Sequence, residues 1–239
     1  MNEKDKVGAF VSKKNNQSSS IKFAVILTII AALLIGIFVV IGGNNNSQEA
    51  QTVDSKPSIK GQPVMGDKKA KVQIVEFGDY KCPSCKLFET DIFPKLKADY
   101  IDKGDVTFSF INLPLPVHGD GAVLAALASE EVWNEDPKNF WAFHEAVYKA
   151  QPDSEAEWVT PAKLIQLAKK TTKIDTDKLK DNLSKKTYQP QLSTDNELVN
   201  QYKVNATPTI YINNKQVQNF YDYDEIKELI DQELKGKKS

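Results

Sequence analysis

The pattern of apolar and polar positions changes character twice along the chain. From Phe23 to Ile41 the residues are uncharged and predominantly apolar, about 19 positions that would cover close to the ~30 Å hydrocarbon core of a bilayer as a helix. Gly42 to about Lys60 is rich in Asn, Ser, Gln and Gly and reads as a flexible linker, so residues 42–60 are expected to carry no fixed structure. Beyond residue 61 short apolar runs predict a folded domain to residue 239. Val72 to Phe77 reads as a buried strand and Pro83 to about Lys103 as a helix kinked at Pro94 and stopped by Gly104. Val106, Phe108 and Phe110 alternate as a second strand, parallel to the first through a right-handed crossover.

Helical periodicity then takes over. Ala122 to Trp133, Asn139 to Ala150, Pro161 to Thr171, Asp177 to Ser184 and Tyr188 to Tyr202 are predicted helices, and Thr160 is placed to cap the third. Thr209 to Ile212 returns to strand, Asn213 to Lys215 turns, Gln216 to Phe220 pairs back, and Asp224 to Lys235 closes as a helix. A βαβ unit, a helical block over about 118–203 and a ββα unit describe an α/β domain with a helical insertion.

Charge orients the apolar run. Lys4, Lys6, Lys13, Lys14 and Lys22 precede it, whereas Lys56 is the first basic residue after it, which places residues 1–22 in the cytoplasm, 23–41 in the membrane and the rest outside. A cleaved secretory signal is the competing reading. Its apolar core would be shorter, about 7–15 residues, and Gly42 to Asn46 offers no small-x-small cleavage site. The formal net charge of -1 gives no reason to expect nucleic acid as a partner.

The chemistry lies in Cys82-Pro83-Ser84-Cys85, which holds the only two cysteines of the chain. Two residues between cysteines at a helix start allow a disulfide to form and reopen. The helix N-terminus points unpaired N–H groups at the first sulfur and stabilises its thiolate. Cys82 is therefore the expected nucleophile and Cys85 the resolving thiol. Half of a zinc site and a purely structural bridge are the alternatives. Zinc would need further ligands from His118 and His144, whose spacing fits no finger or ribbon, and so small a disulfide loop would add little stability. The two histidines are read as surface or packing residues rather than bases, because a CxxC thiolate at a helix start needs none.

Val75-Glu76-Phe77, four residues and then the CPSC motif, the helical insertion, and Ala206-Thr207-Pro208-Thr209-Ile210 before a hairpin together resemble the DsbA family of the thioredoxin fold, over about residues 59–236. The resemblance implies that Thr207-Pro208 is the cis-proline loop facing the sulfurs, receiving extended clients by main-chain pairing. It implies that Glu76 is a buried acid exchanging a proton with Cys85. Ser84 stands where the strongest oxidants of the family have histidine. It further implies a structural calcium ion with ligands at Gln62, Glu130 and Asp195, hard oxygen donors of the kind calcium takes. No organic cofactor is expected.

These readings converge on an extracytoplasmic thiol-disulfide oxidoreductase that introduces disulfides into reduced exported proteins. A membrane quinone-linked thiol oxidoreductase is the reoxidising partner that the resemblance implies. A membrane-anchored reductase, for example in cytochrome maturation, and a non-enzymatic substrate-binding chaperone are the alternatives.

Overall fold

In the computed structural model, residues 51–154 and 157–236 are described. The expected cytoplasmic segment 1–22 and membrane run 23–41 lie outside the described residues, and among the described residues no helix is long and apolar enough to cross a membrane.

A six-stranded sheet forms the centre, in the order β1-β6-β5-β3-β4-β2. Its strands are β1 (Gln51–Thr52), β2 (Val64–Met65), β3 (Val72–Gly78), β4 (Val106–Asn112), β5 (Thr209–Ile212) and β6 (Lys215–Gln216). Every residue of β3 and β4 is buried, the polar Gln73, Glu76, Thr107, Ser109 and Asn112 included. The two are parallel from Val72 opposite Val106 to Gly78 opposite Asn112, as the crossover rule predicts, and β5 pairs antiparallel with β3.

One sheet face, carrying Val72, Ile74, Phe108, Ile210 and Ile212, packs against the active-site helix and the C-terminal helix through Phe88, Ile92, Leu96, Ile226 and Ile230. The active-site helix is not uniform. It runs as α1 (Pro83–Leu87), a wide π-type turn (Phe88–Ile92), α2 (Phe93–Leu96) and a second π-type turn (Lys97–Ile101). Pro94 has no N–H to continue an α-helical ladder, and the π turn just before it absorbs the break while keeping Cys85, Phe88, Glu89 and Ile92 inward.

The insertion consists of α3 (Gly119–Glu135), α4 (Phe140–Ala150), α5 (Pro161–Thr171), α6 (Thr176–Lys185) and α7 (Gln189–Gln201). Thr160 caps α5, its hydroxyl accepting from the Lys163 amide at 3.2 Å. α8 (Tyr223–Lys235) starts at the Asp222 cap and ends at Gly236. The insertion has its own core, built on Phe140, Phe143, Val147, Leu164 and Leu179, which extends to Tyr80 and both cysteines.

The linker expectation needs correction. Gln51 and Thr52 pair with Gln216 and Lys215, the Val53 amide donates to the Asn214 carbonyl at 2.9 Å, and the Pro57 carbonyl accepts from Gln73 Nε2 at 2.7 Å. Polar composition misled because much of this segment is held through its main chain, which any sequence provides, with Val53 and Ile59 packing on the sheet's other core. The folded body thus takes in residues from 51 onward instead of starting at 61. β6 is also shorter than the predicted 216–220 strand, its last bond to β5 running from the Val217 amide to the Ile210 carbonyl at 2.8 Å.

Candidate active site

Strand β3 ends at Gly78, and the turn through Asp79, Tyr80 and Lys81 delivers Cys82 to the N-cap of α1 with extended backbone, φ -75° and ψ 120°. Asp79 fixes this turn. Its carbonyl accepts from the Cys82 amide at 3.0 Å, and its carboxylate accepts from the amides of Lys81 and Leu115, both at 2.8 Å, and lies 2.7 Å from His118 Nδ1.

Both thiols are free and buried. Hydrogen bonding from the Cys85 thiol lowers Cys82 to about 6 against the opposing effect of burial, with further help from Thr207 and the amides of Cys85 and Ser84. Cys85 moves the other way: burial, the bond it makes to Cys82 and the nearby Glu76 charge push its thiol well above the ordinary range. The two cysteines are thus a thiolate and a thiol at neutral pH.

The Thr207–Pro208 peptide is cis, and the Thr207 carbonyl oxygen lies 3.3 Å from Cys82 Sγ. Strand register explains the meeting. Thr209 pairs with Phe77 near the end of β3, so the residues just before β5 come beside the turn that carries Cys82.

Glu76 is fully buried in the row Phe110–Glu76–Ile210 across three strands, and neither carboxylate oxygen has a hydrogen-bond partner. Burial raises its proton affinity well above the carboxylate range, and the charges of Glu89 and Cys82 raise it further. Gly78 permits this packing. A Cβ there would collide with the Phe110 ring and come within 2.9 Å of Glu76 Oε1.

A histidine that sequence reasoning set aside also belongs to this region. His144 is buried with its ring 4.6 Å from that of Phe110; its Nδ1 is 2.9 Å from the Tyr80 hydroxyl and its Nε2 is 2.9 Å from Glu89 Oε1. Glu89 and Tyr80 were not picked from sequence at all. The available signal was the four-residue step from Cys85 to Glu89, which sets both on one helical face. His118 lines a groove of about 610 Å³ beside Pro83, together with Leu87, Lys86 and Trp158.

A second cluster gathers Gln62, Glu130 and Asp195, all buried. Gln62 Nε2 donates to Asp195 Oδ1 at 2.7 Å, and Asn112, which sequence reasoning missed, donates from Nδ2 to Glu130 at 2.7 Å and to Asp195 at 3.1 Å. Burial raises the proton affinity of both carboxyls, and Asp195 adds to the effect on Glu130. Among the described residues no group of three or more His, Cys, Asp or Glu is placed to hold a metal, so this donor set is two carboxylates and an amide.

The thioredoxin family profile matches residues 58–232. Disulfide bond formation protein D of Bacillus subtilis is 59% identical over 190 residues, covering 80% of this chain and 85% of the relative. The crystal structure of oxidised BdbD from Bacillus subtilis superposes with a TM-score of 0.75 at 59% identity, covering 78% of this chain and all of that one. The DsbA of Chlamydia trachomatis shares the fold at 24% identity, with a TM-score of 0.64 over 73% of this chain and 92% of that one. With a dithiol at the start of a helix, a cis-proline loop against its first sulfur and this set of relatives, the chain belongs to the thiol-disulfide oxidoreductases of the thioredoxin family.

Proposed function

We propose that this protein is an extracytoplasmic oxidant that forms disulfides in exported proteins, with Cys82 as the exchanging sulfur and Cys85 as its partner. The observation that carries the reading is the split between the two thiols, one lowered to about 6 and the other raised by burial. A client thiolate attacks Cys82 Sγ of the enzyme disulfide; the new sulfur–sulfur bond forms as the Cys82–Cys85 bond breaks and its electron pair goes to Cys85. Glu76 gives its proton to that departing sulfur, whose buried surroundings disfavour charge. A second client thiolate then attacks the client sulfur of the mixed disulfide. Cys82 leaves as a stabilised thiolate and the client leaves oxidised. Thr207 and Pro208 line the position where the client backbone is received beside Cys82.

The further parts of this reading are an anchor over residues 23–41, an N-terminus in the cytoplasm and a membrane quinone-linked oxidoreductase that removes the electrons. The lysine asymmetry around the apolar run supports the orientation, and the enzyme's need for an electron acceptor supports the partner. Calcium fits the second cluster. Two carboxyls buried together with raised proton affinity are a donor pair that a hard dication stabilises, and Gln62, Glu130 and Asp195 would hold it. Bound there, it would supply charge compensation between the start of the domain and the insertion.

Refolding of a reduced client by the oxidised enzyme tests the function. Disulfide formation at one equivalent per enzyme, abolished in Cys82→Ser, is the expected result; reduction of insulin without oxidation of clients would favour the reductase, and binding without either would favour the chaperone.

A further inference from the structure

The buried groups beneath Cys85 extend beyond Glu76. Glu89 stands one turn after Cys85 on the inward face of the active-site helix and is only 8% exposed. Its Oε1 is 2.9 Å from Nε2 of His144, which comes from α4 of the insertion and is itself held by Tyr80. Glu89 Oε2 and both oxygens of Glu76 have no hydrogen-bond partner, and His144 Nε2 stands within ion-pair distance of Glu89 Oε1 without an aligned hydrogen bond.

Other ionisable groups face this cluster from each packed element: Glu76 on β3, Tyr80 in the following turn, Cys85 on α1 and Tyr148 one turn along α4. Glu130 on α3 acts on Tyr80 at longer range. Among the described residues in contact with Glu89, His144 is the one that can carry positive charge. When Glu76 gives up its proton, two carboxylates would share one dry site unless something offsets the second.

We propose that His144 is a positioning residue for the proton of the resolving step: paired with Glu89, it sets how much of the Glu89 charge Glu76 experiences, and so how readily Glu76 protonates the departing Cys85 sulfur. The insertion thereby acts on the thioredoxin-type centre through two side chains. The step needs no added oxidant or reductant, because the electron pair of the broken disulfide goes to Cys85 and the proton comes from Glu76. This inference rests on the reading of Glu76 as the proton partner of Cys85.

The test is the infrared difference spectrum between oxidised and reduced full-length protein as a function of pH. The protonated carboxyl band of Glu76 is assigned by its loss in Glu76→Gln. In His144→Gln the band's midpoint should move up by at least about half a pH unit, because Glu89 loses the imidazole beside its Oε1, and in Glu89→Gln it should move down by a similar amount. Glu89→Gln/His144→Gln, which buries no lone charge, should follow Glu89→Gln and guards against misfolding of the single histidine variant. A merely structural pair would give shifts of one sign, since both single variants loosen the same contact. Shifts of the same sign, or none in Glu89→Gln, overturn the inference while a redox-linked wild-type band preserves the Glu76 reading. A wild-type band indifferent to redox state overturns both.

Discussion

The sulfur of Cys82 and the carbonyl oxygen of Thr207 lie 3.3 Å apart, so the nucleophile rests against the loop through which a client would be received. Under the proposed function, a mixed disulfide formed at this sulfur would hold the client backbone beside residues 207–209, so that covalent capture and main-chain recognition would share one place.

Alkylation separates the two thiols. With Cys82 at about 6, roughly nine-tenths of it is thiolate at pH 7, whereas Cys85 stays protonated. Limited iodoacetamide treatment of the reduced protein followed by peptide mapping should find Cys82 modified at least about tenfold faster. Equal rates would refute the assignment. Cys85→Ser should accumulate mixed disulfides with clients on non-reducing gels, and Cys82→Ser should not.

The lowered thiol makes a statement about stability. Cys82 is depressed in the folded reduced state, so its contribution is present in full above the unfolded thiol's value, near 9, and is lost as pH falls through about 6. At pH 7 it favours the reduced form by about 1 kcal/mol. The disulfide gives the oxidised form little in return because it closes so short a loop. The reduced protein should therefore melt above the oxidised one at pH 7, with the difference disappearing below pH 6. Its potential should fall between those of thioredoxin and DsbA, about -270 and -120 mV, and nearer the latter. A more stable oxidised form at pH 7 would make the protein a reductase.

Replacing Glu76 by Gln should cost activity and add stability. A carboxyl whose folded proton affinity is raised contributes stability fully below its unfolded value and loses it as pH rises through the folded one. The melting temperatures of wild type and Glu76→Gln should converge near pH 4 and separate above it, the variant melting higher, while turnover of reduced clients falls at least about tenfold. Unchanged turnover would remove Glu76 from the mechanism.

Calcium should raise the melting temperature by about 5–10 °C when present at roughly a hundredfold excess over its dissociation constant. Glu130→Ala and Asp195→Ala should each abolish that rise and leave the alkylation rate of Cys82 unchanged. Identical melts of the wild type in chelator and in calcium would remove the ion.

Gly78→Ala places a methyl group against the Phe110 ring and Glu76 Oε1. The expected cost is about 1–3 kcal/mol, read from denaturant unfolding. Near-neutral stability would mean that β3 and β4 can spread at their ends.

Local chemistry was easy to read in the sequence and assembly was not. The CPSC motif, the helix stop at Gly104 and the Thr160 cap are signalled by residues within one turn of the event, and each stands where the pattern places it. The convergence of Gln62, Glu130 and Asp195 depends on strands and helices separated by more than sixty residues, which no spacing encodes. His144 shows the same limit from the other side. Its aromatic neighbours in sequence point to packing, but its approach to Glu89 exists only because the fold brings one residue of α4 beside one residue of the active-site helix. β1 was invisible because backbone pairing of two exposed polar residues leaves little mark on composition.

Among the described residues the sheet ends on both sides in strands of two residues, β1 and β2. An enzyme that handles unfolded chains meets a constant supply of extended segments seeking an unpaired edge, and a long open margin would collect them wherever they first touched. Edge strands of two residues offer too few consecutive amides and carbonyls to retain such a segment. On these two strands a passing chain would find no lasting hold, and extended polypeptide would be left to engage beside the sulfur that can react with it.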